Sequence, residues 1–120
     1  EQLLPKVVSS VEAKELSDLG QAGELGNALY QGPLALDVAI DEESVKIKKL
    51  TGPVAGDADC LLFPNIESAN VFYKVNSQLC VGVKQAAIVA GAMAPCVLSS
   101  RADSIDTKLN SIALAALTAK

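Results

Sequence analysis

Apolar and polar positions along this chain alternate in blocks that predict helices and buried strands in turn. Val8, Val11, Leu16 and Leu19 recur at roughly helical spacing over residues 7–19, with Pro5 as an entry signal and Gly20 as a stop. Leu29-Tyr30 and Leu34-Ala35-Leu36 read as one strand region disturbed by Gly32-Pro33. A short helix begins at Asp41-Glu42-Glu43-Ser44. Asp41 caps it, Lys46, Lys48 and Lys49 complement its negative end, and Gly52-Pro53 terminates it. Ala58–Phe63 predicts a buried strand ended by Pro64. Asn65 then caps a helix whose apolar face, Ile66, Ala69, Val71-Phe72 and Leu79, runs to about Leu79. Ala86–Ala90 predicts a third strand, continued as extended chain from Pro95 to Leu98. Ser104 caps a last helix that buries a stripe of Leu109, Ile112, Ala113 and Ala116.

Helix, strand, helix, strand, helix, strand, helix is the order of an α/β fold. It predicts right-handed crossovers and a mainly parallel sheet covered by helices on both faces, three layers in all. The composition agrees. Half of the 120 residues are apolar and only 3% are aromatic, so Ala, Val, Leu and Ile supply the interior. A net charge of -4 with interspersed signs argues against nucleic acid or anionic membrane as a partner, since both require a basic face. Histidine is absent, which excludes a Ser-His-Asp or Cys-His pair within the chain and removes the commonest metal ligand. Cys60, Cys80 and Cys96 lack the spacing of a metal site and read as reduced, buried thiols of a cytoplasmic protein. The longest apolar run, residues 86–98, is broken by Gly91 and Pro95 and is too short for a membrane helix.

Ligands of parallel α/β sheets gather at the carboxyl ends of strands. Three polar clusters are expected there: Asp37, then Pro64-Asn65-Ile66-Glu67, then Ser99 to Asp103. The last cluster holds Arg101, the sole arginine. Its planar five-donor fork suits a phosphate or carboxylate, and the start of the following helix adds free backbone N–H groups. The alternative for Arg101 is a surface salt bridge to Asp103 or Asp106.

The stretches Gly32–Asp37, Pro53–Asp59 and Pro64–Glu67 with Asn70 and Tyr73-Lys74, followed by Ala94-Pro95, Ser99–Ser104 and Asn110–Ala115, resemble the phosphate acyltransferases, the phosphate butyryltransferase and phosphate acetyltransferase family. All blocks stand in family order from about Glu12 onward. The resemblance implies reversible transfer of a short acyl group, butyryl or acetyl, between coenzyme A and inorganic phosphate through acyl phosphate. It implies a two-domain architecture like that of isocitrate and isopropylmalate dehydrogenases, with the active site in the cleft and a homodimer or larger homo-oligomer. On this basis residues 1–96 form most of the second domain. Residues 97–120 return to a first domain otherwise absent, so the chain looks like a carboxyl-terminal portion, expected to be inactive alone. Coenzyme A enters as substrate; no permanently bound cofactor and no metal are expected.

The resemblance also implies roles. Arg101 matches the arginine that binds the phosphoryl group, and Ser100 the serine that donates a hydrogen bond to the reacting carbonyl. Without histidine the base must be Asp, Glu or Lys, or lie outside this chain. The acetyltransferase branch has its aspartate where Thr107 stands here; the butyryltransferase branch instead has one at the position of Asp103. Asp103, or alternatively Asp106, takes the role of base, unless both are simply caps of the last helix. Asn65, Glu67 and Asn70, on the first turns of their helix, would bind acyl phosphate or position Arg101; Lys74 would touch phosphate or pair with Glu67 or Asn70. Ala69 replaces a usual family glycine and Val38 a commonly polar residue. Asp57 and Asp59 read as turn and strand-edge residues. Two other readings of the same resemblance are an acyl-CoA-sensing, assembly-forming domain of a malic enzyme and the transferase part of a bifunctional enoyl-CoA hydratase.

Overall fold

The computed structural model describes residues 1–119. Among the described residues five helices run in chain order: α1 Val8–Gln21, α2 Leu36–Ile40, α3 Glu42–Lys48, α4 Ile66–Leu79 and α5 Ile105–Thr118. The chain forms two compact units, Glu1–Ala69 and Asn70 onward. Among the described residues no helix is long and apolar enough to cross a membrane.

In the first unit the fully buried apolar centre is Val38 with Ala39, both on α2. Their carbonyls accept the backbone N–H groups of Gly56 at 2.8 Å and Ala58 at 2.9 Å, which draws the 56–58 segment onto α2. Gln31 organises the neighbouring loop. Its amide oxygen accepts from Val54 N and Ala55 N at 3.0 Å each, and its amide nitrogen donates to Thr51 O at 3.1 Å. One side chain thus satisfies three backbone groups of a segment without regular secondary structure. α3 starts as expected, with the Asp41 carboxylate accepting Ser44 N at 2.7 Å, and it ends at Lys49, which takes the left-handed conformation before Gly52-Pro53 is reached. Asp37 lies in the first turn of α2 and pairs with Lys48 at 2.8 Å; that bond holds its carboxyl below the usual range.

α1 departs from expectation at Gly20. The helix continues through it to Gln21, and Gly20 is buried. A Cβ built there would lie 2.1 Å from Cγ of Tyr30, so the glycine is present because the Tyr30 ring occupies the space of a side chain. Tyr30 is fixed in turn by its hydroxyl, which donates to Leu25 O at 2.6 Å.

The mainly parallel sheet expected from the sequence has no ladder among the described residues. The stretches read as strands, 29–36, 58–63 and 86–90, carry no strand pairing beyond one isolated antiparallel bridge between Val89 and Cys96. Apolar patterning marks a segment for burial, but a strand exists only where a neighbour satisfies its N–H and C=O groups. The segment 86–90 shows the substitute: Ala87 N donates to the hydroxyl of Ser111 on α5 at 3.0 Å.

That bond also sets the face of α5. Ser111 is 1% exposed, whereas Leu109 and Ile112 are 61% and 59% exposed. The expected stripe of Leu109, Ile112, Ala113 and Ala116 therefore points outward, and the helix packs through Ser111, with Leu114 and Ala115 partly covered. The cysteines require a second correction: Cys60, Cys80 and Cys96 are free but exposed, since they lie in loops and just past the end of α4.

α4 begins where the sequence indicates. Asn65 Oδ1 accepts Ser68 N at 2.9 Å, and Asn65 O accepts the Ser68 hydroxyl at 3.1 Å. Replacing this cap, Asn65→Ala, is expected to cost about 1 kcal/mol of stability. Urea unfolding followed by helical circular dichroism measures it; an unchanged midpoint would show the cap to be dispensable.

Candidate functional site

The turn that carries the sole arginine is built by its own backbone and one carboxylate. Asp103 N donates to Ser100 O at 3.1 Å, closing a β-turn over Ser100–Asp103. Asp103 then reaches back, and its Oδ2 accepts Ser100 N at 2.8 Å. Ser104 ends the turn and opens α5, with its hydroxyl oxygen accepting Thr107 N at 3.0 Å. Asp106 lies in the first turn of α5 and is exposed. The sequence expectation of a helix entry directly after the arginine is met, and the cap of α5 is Ser104; Asp103 holds the turn before it.

Asp103 is the most enclosed charged group of this cluster, its side chain only 6% exposed. Besides the Ser100 N–H it meets two groups from α4. The Tyr73 hydroxyl donates to Oδ2 at 3.4 Å, and Lys74 Nζ stands 3.6 Å from Oδ1. Burial pushes the Tyr73 phenol up from its ordinary value, and the neighbouring Asp103 charge acts in the same direction. Tyr73 therefore stays protonated at neutral pH and serves as a donor. Lys74 takes Asp103 as its partner, where the sequence leaves open a phosphate contact or a pairing with Glu67 or Asn70, and its ammonium lies 5.1 Å from the centre of the Tyr73 ring.

Arg101 is exposed on the outside of the same turn. Among the described residues its guanidinium makes no ion pair or hydrogen bond, so the expected alternative of a salt bridge to Asp103 or Asp106 does not form; Asp103 is already taken by Tyr73 and Lys74. Lys108 adds a second cation at the turn, its Nζ donating to Arg101 O at 3.4 Å. Ser100 is partly covered. Its hydroxyl oxygen accepts Ala102 N at a long 3.4 Å, which leaves the hydroxyl proton without an acceptor among the described residues.

Ser100, Asp103 and Lys74 are thus brought together, with Arg101 on the same turn. Asn65 serves as a helix cap. Glu67 and Asn70 are exposed on the first turns of α4, where three- and four-residue spacing aligns them with Lys74 along one side of the helix. Tyr73 and Lys108 were not among the site residues chosen from the sequence. A groove of about 490 Å³ in the second unit is lined by residues 88–95 and Thr118, and none of the chosen residues lines it. Among the described residues no group of Cys, Asp or Glu is placed to hold a metal ion.

Chemically, the turn presents an unpaired fork-shaped cation, a hydroxyl with a free proton and an enclosed carboxylate within four consecutive residues. Such a set has the chemistry to bind an oxyanion and to polarise a carbonyl beside it.

Residues 5–116 match the family described as Phosphate acetyl/butaryl transferase. A phosphate butyryltransferase of Clostridium acetobutylicum is 48% identical over 119 residues, covering 99% of this chain and 39% of its own length. A phosphate acetyltransferase of Thermotoga maritima is 44% identical over 115 residues, covering 96% of this chain and 39% of its own. The crystal structure of a branched-chain phosphotransacylase from Enterococcus faecalis V583 superposes with a TM-score of 0.81 at 38% identity, over 97% of this chain and 41% of that one. The chain therefore spans about two fifths of the length of the relatives it matches.

Proposed function

The chain belongs to the phosphate acetyl/butaryl transferase family, and on that premise we propose that its 99–104 turn serves reversible acyl transfer between coenzyme A and inorganic phosphate, acyl-CoA + phosphate = acyl phosphate + CoA. The observation that carries this reading is the Arg101 guanidinium, unpaired among the described residues, on a turn whose enclosed carboxylate, Asp103, is already paired with Lys74.

In the direction that consumes acyl phosphate, the coenzyme A sulfur attacks the carbonyl carbon. The C–S bond forms, the C–O bond to phosphate breaks, the thiol proton goes to a base, and phosphate leaves. Arg101 binds the phosphoryl oxygens in two-point contact. The Ser100 hydroxyl donates to the carbonyl oxygen as it gains charge. Asp103 is the carboxylate nearest the serine and takes the role of base. Asn70 and Lys74 of α4 bind the acyl phosphate or position Arg101. Direct transfer without an acyl-enzyme suits a chain that has no histidine to activate a nucleophile. No resident cofactor enters the scheme; coenzyme A is substrate.

The TM-score of 0.81 to the phosphotransacylase supports placing 58–63 and 86–90 as strands of a larger α/β sheet, and the two-fifths coverage supports a cleft completed by further residues. The working form would be a homodimer or larger homo-oligomer in the cytoplasm. A full-length family enzyme carrying these residues is expected to release coenzyme A from butyryl-CoA or acetyl-CoA only when phosphate is present, and this 120-residue chain alone is expected to be inactive. Thiol release read colorimetrically tests both. Phosphate-independent release, or none from either thioester by the full-length enzyme, would overturn the proposal.

A further inference from the structure

The mechanism uses Asp103 but leaves unexplained how so short a turn holds a carboxylate in one orientation. Oδ2 receives two donors, Ser100 N at 2.8 Å and the Tyr73 hydroxyl at 3.4 Å, while Oδ1 faces Lys74 at 3.6 Å. The Ser100 bond comes from the turn itself and moves with it. The α4 donors come from a different element, separated from Asp103 by about thirty residues of sequence, so they alone reference the carboxylate to something outside the turn. Of the two, Lys74 is 38% exposed in its side chain and stands 3.6 Å from Oδ1 as an ion pair, while the Tyr73 hydroxyl makes a long hydrogen bond of 3.4 Å to Oδ2. Tyr73 is more firmly held. It is partly buried, its backbone oxygen accepts Gln85 Nε2 at 3.2 Å, and the Lys74 ammonium lies by its ring. Its phenol carries a proton throughout the neutral range and has no competing acceptor among the described residues.

Resting on the reading of Ser100, Arg101 and Asp103 as the reacting turn, we propose that Tyr73 is a positioning residue for acyl transfer, whose hydroxyl orients Asp103 and through it the Ser100–Arg101 turn. Tyr73 touches no substrate in this scheme. It supplies the bond that keeps one Asp103 oxygen on the Ser100 N–H and leaves the other facing Lys74.

The test uses a full-length family enzyme carrying these residues, with butyryl-CoA and inorganic phosphate as substrates. Tyr73→Phe keeps the ring and its contact with Lys74 and removes one hydrogen bond of 3.4 Å. It is expected to lower kcat about threefold to tenfold, the range a single net hydrogen bond supplies. KM for butyryl-CoA is expected to stay unchanged, because the binding groups remain, and the thermal midpoint to fall by no more than the few degrees that one hydrogen bond is worth. In an Asp103→Asn background the same change is expected to have no further effect, since the hydroxyl acts through that carboxylate. An unchanged kcat in Tyr73→Phe, a loss that persists undiminished in the Asp103→Asn background, or a loss confined to KM would overturn the proposal. Arg101→Ala, run in parallel, keeps the two readings apart. If that variant is inactive and Tyr73→Phe is not impaired, only the role of Tyr73 falls; if Arg101→Ala is fully active, the assignment of the turn falls first.

Discussion

Arg101→Ala in a full-length family enzyme is expected to lose about 10²–10³ in kcat/KM, the scale seen when one preorganised charge-stabilising group is removed from a site. Its stability is expected to change by less than about 0.5 kcal/mol, as for surface substitutions that break no buried contact. Both halves follow from one observation. The guanidinium is exposed and holds no carboxylate among the described residues, so the folded protein gains little from it, and its loss is felt when an oxyanion arrives. A cation kept for structure would show the reverse, a lower melting temperature with catalysis intact. Arg101→Lys keeps the charge but not the planar fork, and is expected to recover only part of the loss. Steady-state kinetics with phosphate as the varied substrate read the effect as a rise in KM for phosphate together with a fall in kcat. Asp37→Ala serves as contrast: Asp37 is exposed and bound to Lys48, and only a mild kinetic change is expected. Equal, mild effects in the two variants would refute the assignment of the turn.

Gly20→Ala is expected to destabilise the fold, against the ordinary preference of a helix interior. Alanine is favoured over glycine there by about 1 kcal/mol. The added methyl, however, would stand 2.1 Å from Tyr30 Cγ and 2.6 Å from its Cβ, near the root of the side chain, where rotation gives little relief. The ring must leave, and with it the 2.6 Å bond from the Tyr30 hydroxyl to Leu25 O. Overpacking costs about 1–3 kcal/mol, and the lost hydrogen bond adds about 1 kcal/mol. The two together exceed the propensity gain, so a net loss of about 1–3 kcal/mol is expected in urea titration. Tyr30→Ala, which empties the space, should make Gly20→Ala neutral or favourable. A stabilised single variant would mean that Tyr30 moves aside at no cost.

The elements that were legible in the sequence are those whose signals are local. Asp41, Asn65 and Ser104 each accept the N–H three residues on, as capping chemistry requires, and the helices they open run close to the expected bounds. The order of family blocks was equally legible and is borne out by the match over residues 5–116. What failed depended on partners distant in sequence. Gly20 looked like a stop because nothing nearby reveals that Tyr30 fills its side-chain space. The stretches 58–63 and 86–90 are a different case: apolarity marks them for burial, and whether they pair as strands depends on a ladder partner that lies elsewhere in sequence. The α5 stripe was inferred from Leu109 and Ile112, yet the helix is anchored by Ser111, a polar residue chosen by the need of Ala87 N for an acceptor. Tyr73 lies in a stretch that resembles the family, yet nothing in the local sequence marks it as a site residue. Its role rests on a contact with Asp103 that no helical or strand periodicity encodes.

The three accessible cysteines bear on how turnover is to be measured. A disulfide reagent that colours on meeting free coenzyme A also colours on Cys60, Cys80 and Cys96, so each mole of chain contributes up to three moles of chromophore before any catalysis. Absorbance within that stoichiometric burst carries no kinetic information; only release beyond it counts as enzyme cycles. Weak variants are therefore better followed by loss of thioester absorbance in the ultraviolet, where the protein's own sulfur is silent.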